Sequence, residues 1–103
     1  MITNRRISST TTTQIFVSSG QSAVTTALFC NNSTSTVALN VFIVPYGQNA
    51  SSQVNQILNS VIIPPTETFV LDTERFILED KDAIYASINV NGAIISTISS
   101  VNT

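Results

Sequence analysis

The residues able to do acid–base or metal chemistry are few, and half of the six carboxylates crowd into one turn. Glu79, Asp80 and Asp82 surround Lys81, Cys30 is the single thiol, and the chain has no histidine. Clustered carboxylates in a loop suit calcium, and a pair of them could hydrolyse a glycoside. The spacing here lacks the ligand pattern of a calcium loop and carries Lys81 in its middle, so a solvated turn between strands is expected. Glycoside hydrolysis would also want aromatic platforms, and the chain has no Trp and only two Tyr. The serines have no histidine to activate them, and Cys30 has no partner base. The three glycines, Gly20, Gly47 and Gly92, each fall at a turn and form no phosphate-binding loop. The expectation is a non-enzyme with no cofactor and no metal site.

The elements that hold these residues are unusual for their lack of charge. Between Ile7 and Thr66 there is no Asp, Glu, Lys, Arg or His, and only 10% of the 103 residues are charged. Soluble domains usually carry roughly a quarter. The chain is 43% hydrophobic, which argues against disorder, and its length suits one domain with one core. Four basic residues, two of them Arg5 and Arg6, cannot line a nucleic-acid groove. No apolar run approaches the ~20 residues of a membrane helix. The arginines near the N-terminus are followed by no apolar segment, so no secretory signal is expected. Asn31, Asn32 and Asn49 fit the N-glycosylation pattern, which without such a signal reflects Asn/Ser/Thr-rich composition. Cys30 ends the apolar run Ala27-Leu28-Phe29 and is expected to be buried and inert.

Thr, Val and Ile dominate, and their branched side chains favour strands. Residues 1–13 read as a polar N-terminal arm, and residues 14–103 as the folded domain. Strands are expected at Gln14–Val17, Ser22–Cys30 and Thr36–Val44, the last pairing with the one before it. Pro45-Tyr46-Gly47 stops that strand and opens a polar loop, Gln48–Asn55. The segment Gln56–Ile63 is open between helical turn and strand, and Pro64-Pro65 ends it. Strand-like stretches follow at Thr66–Leu71 and Phe76–Leu78, separated by a loop at Asp72–Arg75. Two last strands, Ala83–Val90 and Ala93–Val101, flank Asn91-Gly92, a strong hairpin signal. Seven or eight short strands between turns predict an all-β chain, a single antiparallel β-sandwich of jelly-roll or Ig-like type.

The expected hairpin has a consequence for the surface. It sets Val90 opposite Ala93, Ile88 opposite Ile95 and Ala86 opposite Thr97 on an inward face shared with Ile84. The other face then pairs Asn89 with Ile94, Ser87 with Ser96 and Tyr85 with Ile98. A solvated face should alternate to polar residues, so Tyr85, Ile94 and Ile98 are expected to be covered. The cover would be a neighbouring subunit or the chain's own arm with Arg5 and Arg6, and these five residues form the expected oligomer interface. A surface of Ser, Thr and Asn is also cheaper to desolvate against a neighbour than one of Lys and Glu.

Four segments occur in an order that resembles a known group. They are Leu28-Phe29-Cys30-Asn31-Asn32, then Val41 to Gly47, then Ile63-Pro64-Pro65-Thr66-Glu67-Thr68, then Phe76 to Ala86. The set is similar to the small β-sandwich virion proteins of tailed bacteriophages, including cyanophages, over residues 14–101. Two departures stand out: the family has Gly where Lys81 stands, and Pro-x-Gly where Ser18-Ser19-Gly20 stands. The resemblance implies a structural, oligomeric accessory or decoration protein of the capsid, neck or tail, located in the virion and contacting other virion proteins. Nucleic acid and membrane are not among the expected partners. The alternative is a carbohydrate- or receptor-binding module of a host-recognition apparatus, with Tyr46 as its aromatic platform.

Overall fold

The computed structural model describes residues 1–8, 10–71, 75–89 and 93–103. It is all-β, with nine strands in two antiparallel sheets packed face to face: β1 (Ile2–Ile7), β2 (Thr13–Val17), β3 (Ser22–Asn31), β4 (Val37–Val44), β5 (Gln56–Ile63), β6 (Thr68–Leu71), β7 (Phe76–Leu78), β8 (Ala83–Ile88) and β9 (Ile94–Asn102). The first sheet runs β1-β9-β3-β6, with β7 also paired to β3; the second runs β2-β8-β4-β5. β6 lies against Ala27–Cys30 and β7 against Ser22–Val24, so together they act as one interrupted strand along β3.

The pairings are then nested: first strand with last, second with second-to-last, β3 with the interrupted strand, and β4 with β5. An antiparallel ribbon rolled up on itself produces this nesting, which is the jelly-roll form of the β-sandwich. It resolves the expected jelly-roll or Ig-like choice and leaves Gln56–Ile63 as a strand. Alternation along the strands builds the core. Ile7, Val24, Phe29, Ile94 and Ile98 come from the first sheet, and Leu39, Val41, Ile63, Ile84 and Ile88 from the second.

Three expectations are corrected. Residues 1–13 are not an arm: β1 pairs with β9 from Ile2↔Ser99 to Ile7↔Ile94, and β2 begins at Thr13. β3 and β4 do not pair with each other, because the chain crosses between sheets after Asn31. The same holds for β8 and β9, which belong to opposite sheets, so no hairpin joins them. Val90, Asn91 and Gly92 themselves lie outside the described residues, as does most of the expected loop at 72–75. The inward positions of Ile84, Ala86 and Ile88 hold, but their expected partners do not. In β9 the inward row is Ile94, Ser96, Ile98 and Ser100, and Ile95 and Thr97 turn outward. A one-residue change of phase exchanges the two faces of a strand. Consecutive Ile94-Ile95 leaves that phase open in the sequence.

Asn31 shows why the crossing after β3 is sharp. Its buried side-chain amide donates to the Ser35 and Ile63 carbonyls, each at 2.8 Å, and its Oδ1 accepts from Ser33 N and Oγ. Every donor of that amide is satisfied, so this side chain pins the β3–β4 connection to the end of β5. Being fully buried, Asn31 is also closed to glycosylation in the folded chain.

Candidate functional site

The acidic turn after β7 is a structural latch. Asp82 accepts from Tyr46 N at 2.8 Å through Oδ1 and from Glu79 N at 3.0 Å through Oδ2. Asp80 accepts from Gly20 N, and Glu79 accepts from the Gln21 side chain. The three carboxylates therefore aim at separate amides and bind three turns at one end of the sandwich. No cluster of metal-ligating side chains occurs among the described residues. Lys81 completes the turn at φ +70°, a conformation glycine adopts freely and a lysine adopts at a cost.

Beside this turn lies an open concavity of about 370 Å³ on the outer side of the second sheet, lined by Gln14, Val17, Tyr46, Gln48, Lys81 and Tyr85 among others. Its size falls within the range of small-ligand sites. The Tyr85 hydroxyl donates to Gln14 Oε1 at 3.1 Å, and Lys81 Nζ sits 5.2 Å from the centre of the Tyr46 ring. Tyr46 is thus not alone: the fold brings Tyr85 beside it from a position 39 residues away, counting from 46 to 85. Sequence reasoning placed Tyr85 on an oligomer interface because it assumed the β8–β9 hairpin. Outward alternation of Tyr85 was the available signal, and only the sheet order shows which loop it faces.

The remaining members of the expected interface separate. Ile94 and Ile98 are both fully buried in the core, packed between the sheets, and cannot form an open face. Arg5 lines a second concavity of about 320 Å³ between β1 and β2. Arg6 is exposed and pairs in register with Ile95, on the outer side of the first sheet. Cys30 is corrected as well: it is half-buried on that same outer side, between Ile95 and Thr68, rather than in the core.

That outer side of the first sheet carries open apolar residues, as the outer side of the second sheet does at Val17 and Ile62. Ile2, Val70, Ile77 and Val101 are 62%, 48%, 59% and 57% exposed, with Leu28 and Ile95 half-buried between them. Registers place them in cross-sheet rows: Asn4–Thr97–Leu28–Val70, Arg6–Ile95–Cys30–Thr68, and Val101–Ala23–Ile77. Arg6 is the only charged residue that its strands turn to this side among those described, and the exposed Arg75 immediately precedes β7. No protein-family model, no curated protein and no solved structure matches the chain.

Proposed function

We propose that the chain is a non-enzymatic structural protein of a bacteriophage virion, an oligomeric accessory or decoration module of the capsid, neck or tail. The observation that carries this reading is the placement of charge. Among the described residues only Arg5 and Arg6 are charged and lie within strands; the others sit in turns or beside strand ends. A monomer kept apart by its surface normally disperses charge over its sheets. Sheets without charge can be covered by neighbours at small desolvation cost. The rolled topology, which suits capsid-type packing, and the resemblance of residues 14–101 to phage virion proteins point the same way. The test is composition: the polypeptide should be found in purified particles at a stoichiometry fitting a symmetric site. A particle lacking it would end this reading.

The second reading, a carbohydrate- or receptor-binding module, is favoured by the Tyr46–Tyr85 concavity. Two tyrosine rings and two glutamine amides match what a sugar offers, apolar C–H faces edged by hydroxyls. Glycan-array binding by the native chain, lost in Tyr46→Ala and Tyr85→Ala with folding retained, would establish it. Array silence would remove it.

A further inference from the structure

We infer that the Tyr46–Tyr85 concavity and the one beside Arg5 form a single cleft that binds an extended acidic saccharide, an oligomer of uronic-acid type whose carboxylates meet Lys81 and Arg5. This rests on the second reading above, a carbohydrate-binding module, and deepens it by naming the ligand's charge and length.

Continuity is the first argument. Both concavities, about 370 and 320 Å³, have Gln14 and Val17 in their walls. These residues are three apart in β2, and a regular strand would send them to opposite faces. The register slips between Gln14 and Phe16, where two steps along β2 match one step along β8, from Tyr85 to Ile84. This bulge turns Ile15 and Phe16 both into the core and leaves Gln14 and Val17 both exposed, opposite the outward-facing Tyr85 and Ala83. The two form a shared saddle. The cleft passes over it from the turn at 45–48 to β1, where Thr3 and Arg5 line the far end. A single sugar fills one end, and only a chain of several reaches both.

Charge is the second argument. Among the described residues no carboxylate lines either part, while Lys81 stands at one end and Arg5 at the other. Neither cation is paired with a carboxylate among those residues. The acidic groups of the adjoining turn are engaged elsewhere: Asp82 on two backbone amides, Asp80 on Gly20 N and Glu79 on the Gln21 side chain. On a chain of net charge −2, a cleft with two unpaired cations is a local reversal that favours an anion.

The third argument selects the kind of anion. The Tyr46 ring is open to solvent, with Lys81 Nζ 5.2 Å from its centre. A pyranose lying by its C–H face on that ring carries an exocyclic carboxylate to the side of the ammonium. Gln14 accepts the Tyr85 hydroxyl through Oε1, which leaves its Nε2 to donate to a sugar hydroxyl. An acidic peptide fits less well, because an added strand continues the ladder of an edge and the bulge breaks that ladder in β2. Two cations are too few for a nucleic-acid backbone.

The experiment is a titration of the full chain followed by tyrosine fluorescence. The chain has no Trp, and its two Tyr both line the cleft, so the emission reports this site alone. The probes are hexamers of galacturonate and of mannuronate, and at least one should change the emission saturably. Its methyl ester, neutral and of the same shape, should not. Lys81→Gln and Arg5→Gln should each weaken the hexamer by about fivefold, and the two together by about 25-fold. The corresponding monosaccharide should respond to Lys81→Gln and ignore Arg5→Gln. Failure of both hexamers to bind, or equal binding of the ester, overturns the acidic ligand. A hexamer indifferent to Arg5→Gln overturns the extended cleft, and poly-glutamate or single-stranded DNA binding as tightly overturns the saccharide. Neutral glycans that bind on the array and are lost with Tyr46→Ala would keep the carbohydrate reading while ending this one, whereas silence in both assays ends the two together.

Discussion

The two outer faces of this jelly roll are both poor in charge, yet their central strands are finished differently. On the second sheet the outward residues of the central strands β8 and β4 are buried or half-buried, while Val17 and Ile62 on the flanking strands stay 46% and 62% exposed. Asn40 Oδ1 accepts from Gln56 Nε2 and from Ser60 N, Tyr85 donates to Gln14, and Phe42 and Val44 are buried. On the first sheet the outward residues are short aliphatics and threonines that leave each other exposed. Central strands closed by their own side chains need no partner there except a ligand at the Tyr46–Tyr85 concavity. An aliphatic face left open lowers its free energy by being covered. The contrast teaches that absence of charge has two meanings, internal satisfaction and availability for contact, and only packing separates them.

The largest test separates the inner and outer rows of β9. Ile98→Lys should prevent folding, at a cost of ~4 kcal/mol or more, because it places an unpaired ammonium in a fully buried site. Val101→Lys, three residues on and 57% exposed, should change stability by no more than about 0.5 kcal/mol. Circular dichroism melts of the two variants check the pair. Equal effects would mean that the phase of β9 is wrong and the open face is misassigned.

That phase is also where the sequence was least legible. Strand positions could be read from β-branched runs and turn residues: β2, β3, β4 and β7 fall within a residue or so of expectation. Sheet partners could not. Asn91-Gly92 signals a local turn, but a turn residue pair does not say whether the chain returns beside its own strand or crosses to the facing sheet. β8 and β9 cross, and with them Ile94 and Ile98 moved from surface to core. Cys30 misled for a related reason, since the run Ala27-Leu28-Phe29-Cys30 is apolar on both faces and carries no alternation. The concavity was half legible: Tyr46 announced itself after Pro45, while Tyr85 joins it only through sheet order.

Next in size is the core that holds both faces in place. Ile88 is fully buried in the second sheet, opposite Leu39. Ile88→Ala should cost ~2–5 kcal/mol through lost burial and a residual cavity, read as a lower denaturant midpoint at constant slope. An unchanged midpoint would remove the shared core on which the comparison of faces stands. Cys30→Ser should be far milder, about 0.5 kcal/mol or less, because the thiol lies on the outer row of β3. A loss comparable to that of Ile88→Ala would put Cys30 back in the core and take the row Arg6–Ile95–Cys30–Thr68 with it.

The smallest stability effect is expected at Lys81, where it is most informative about the concavity. Glycine would relieve the φ of +70°, a gain of about 1 kcal/mol for a residue held in the left-handed region. Against this stand the greater unfolded-chain freedom of glycine, costing ~0.5–1 kcal/mol, and the loss of the Lys81–Tyr46 ring contact, worth about 0.5 kcal/mol at an exposed site. Lys81→Gly should therefore leave the melting temperature almost where it was. The cost of the left-handed backbone is thus offset within the turn, and stability alone does not distinguish lysine from glycine there. If the concavity takes a sugar, Lys81→Gly should weaken that binding while the melt stays put. A raised melting temperature together with unchanged glycan affinity would make Lys81 an ordinary turn residue, and the aromatic face a surface without an occupant.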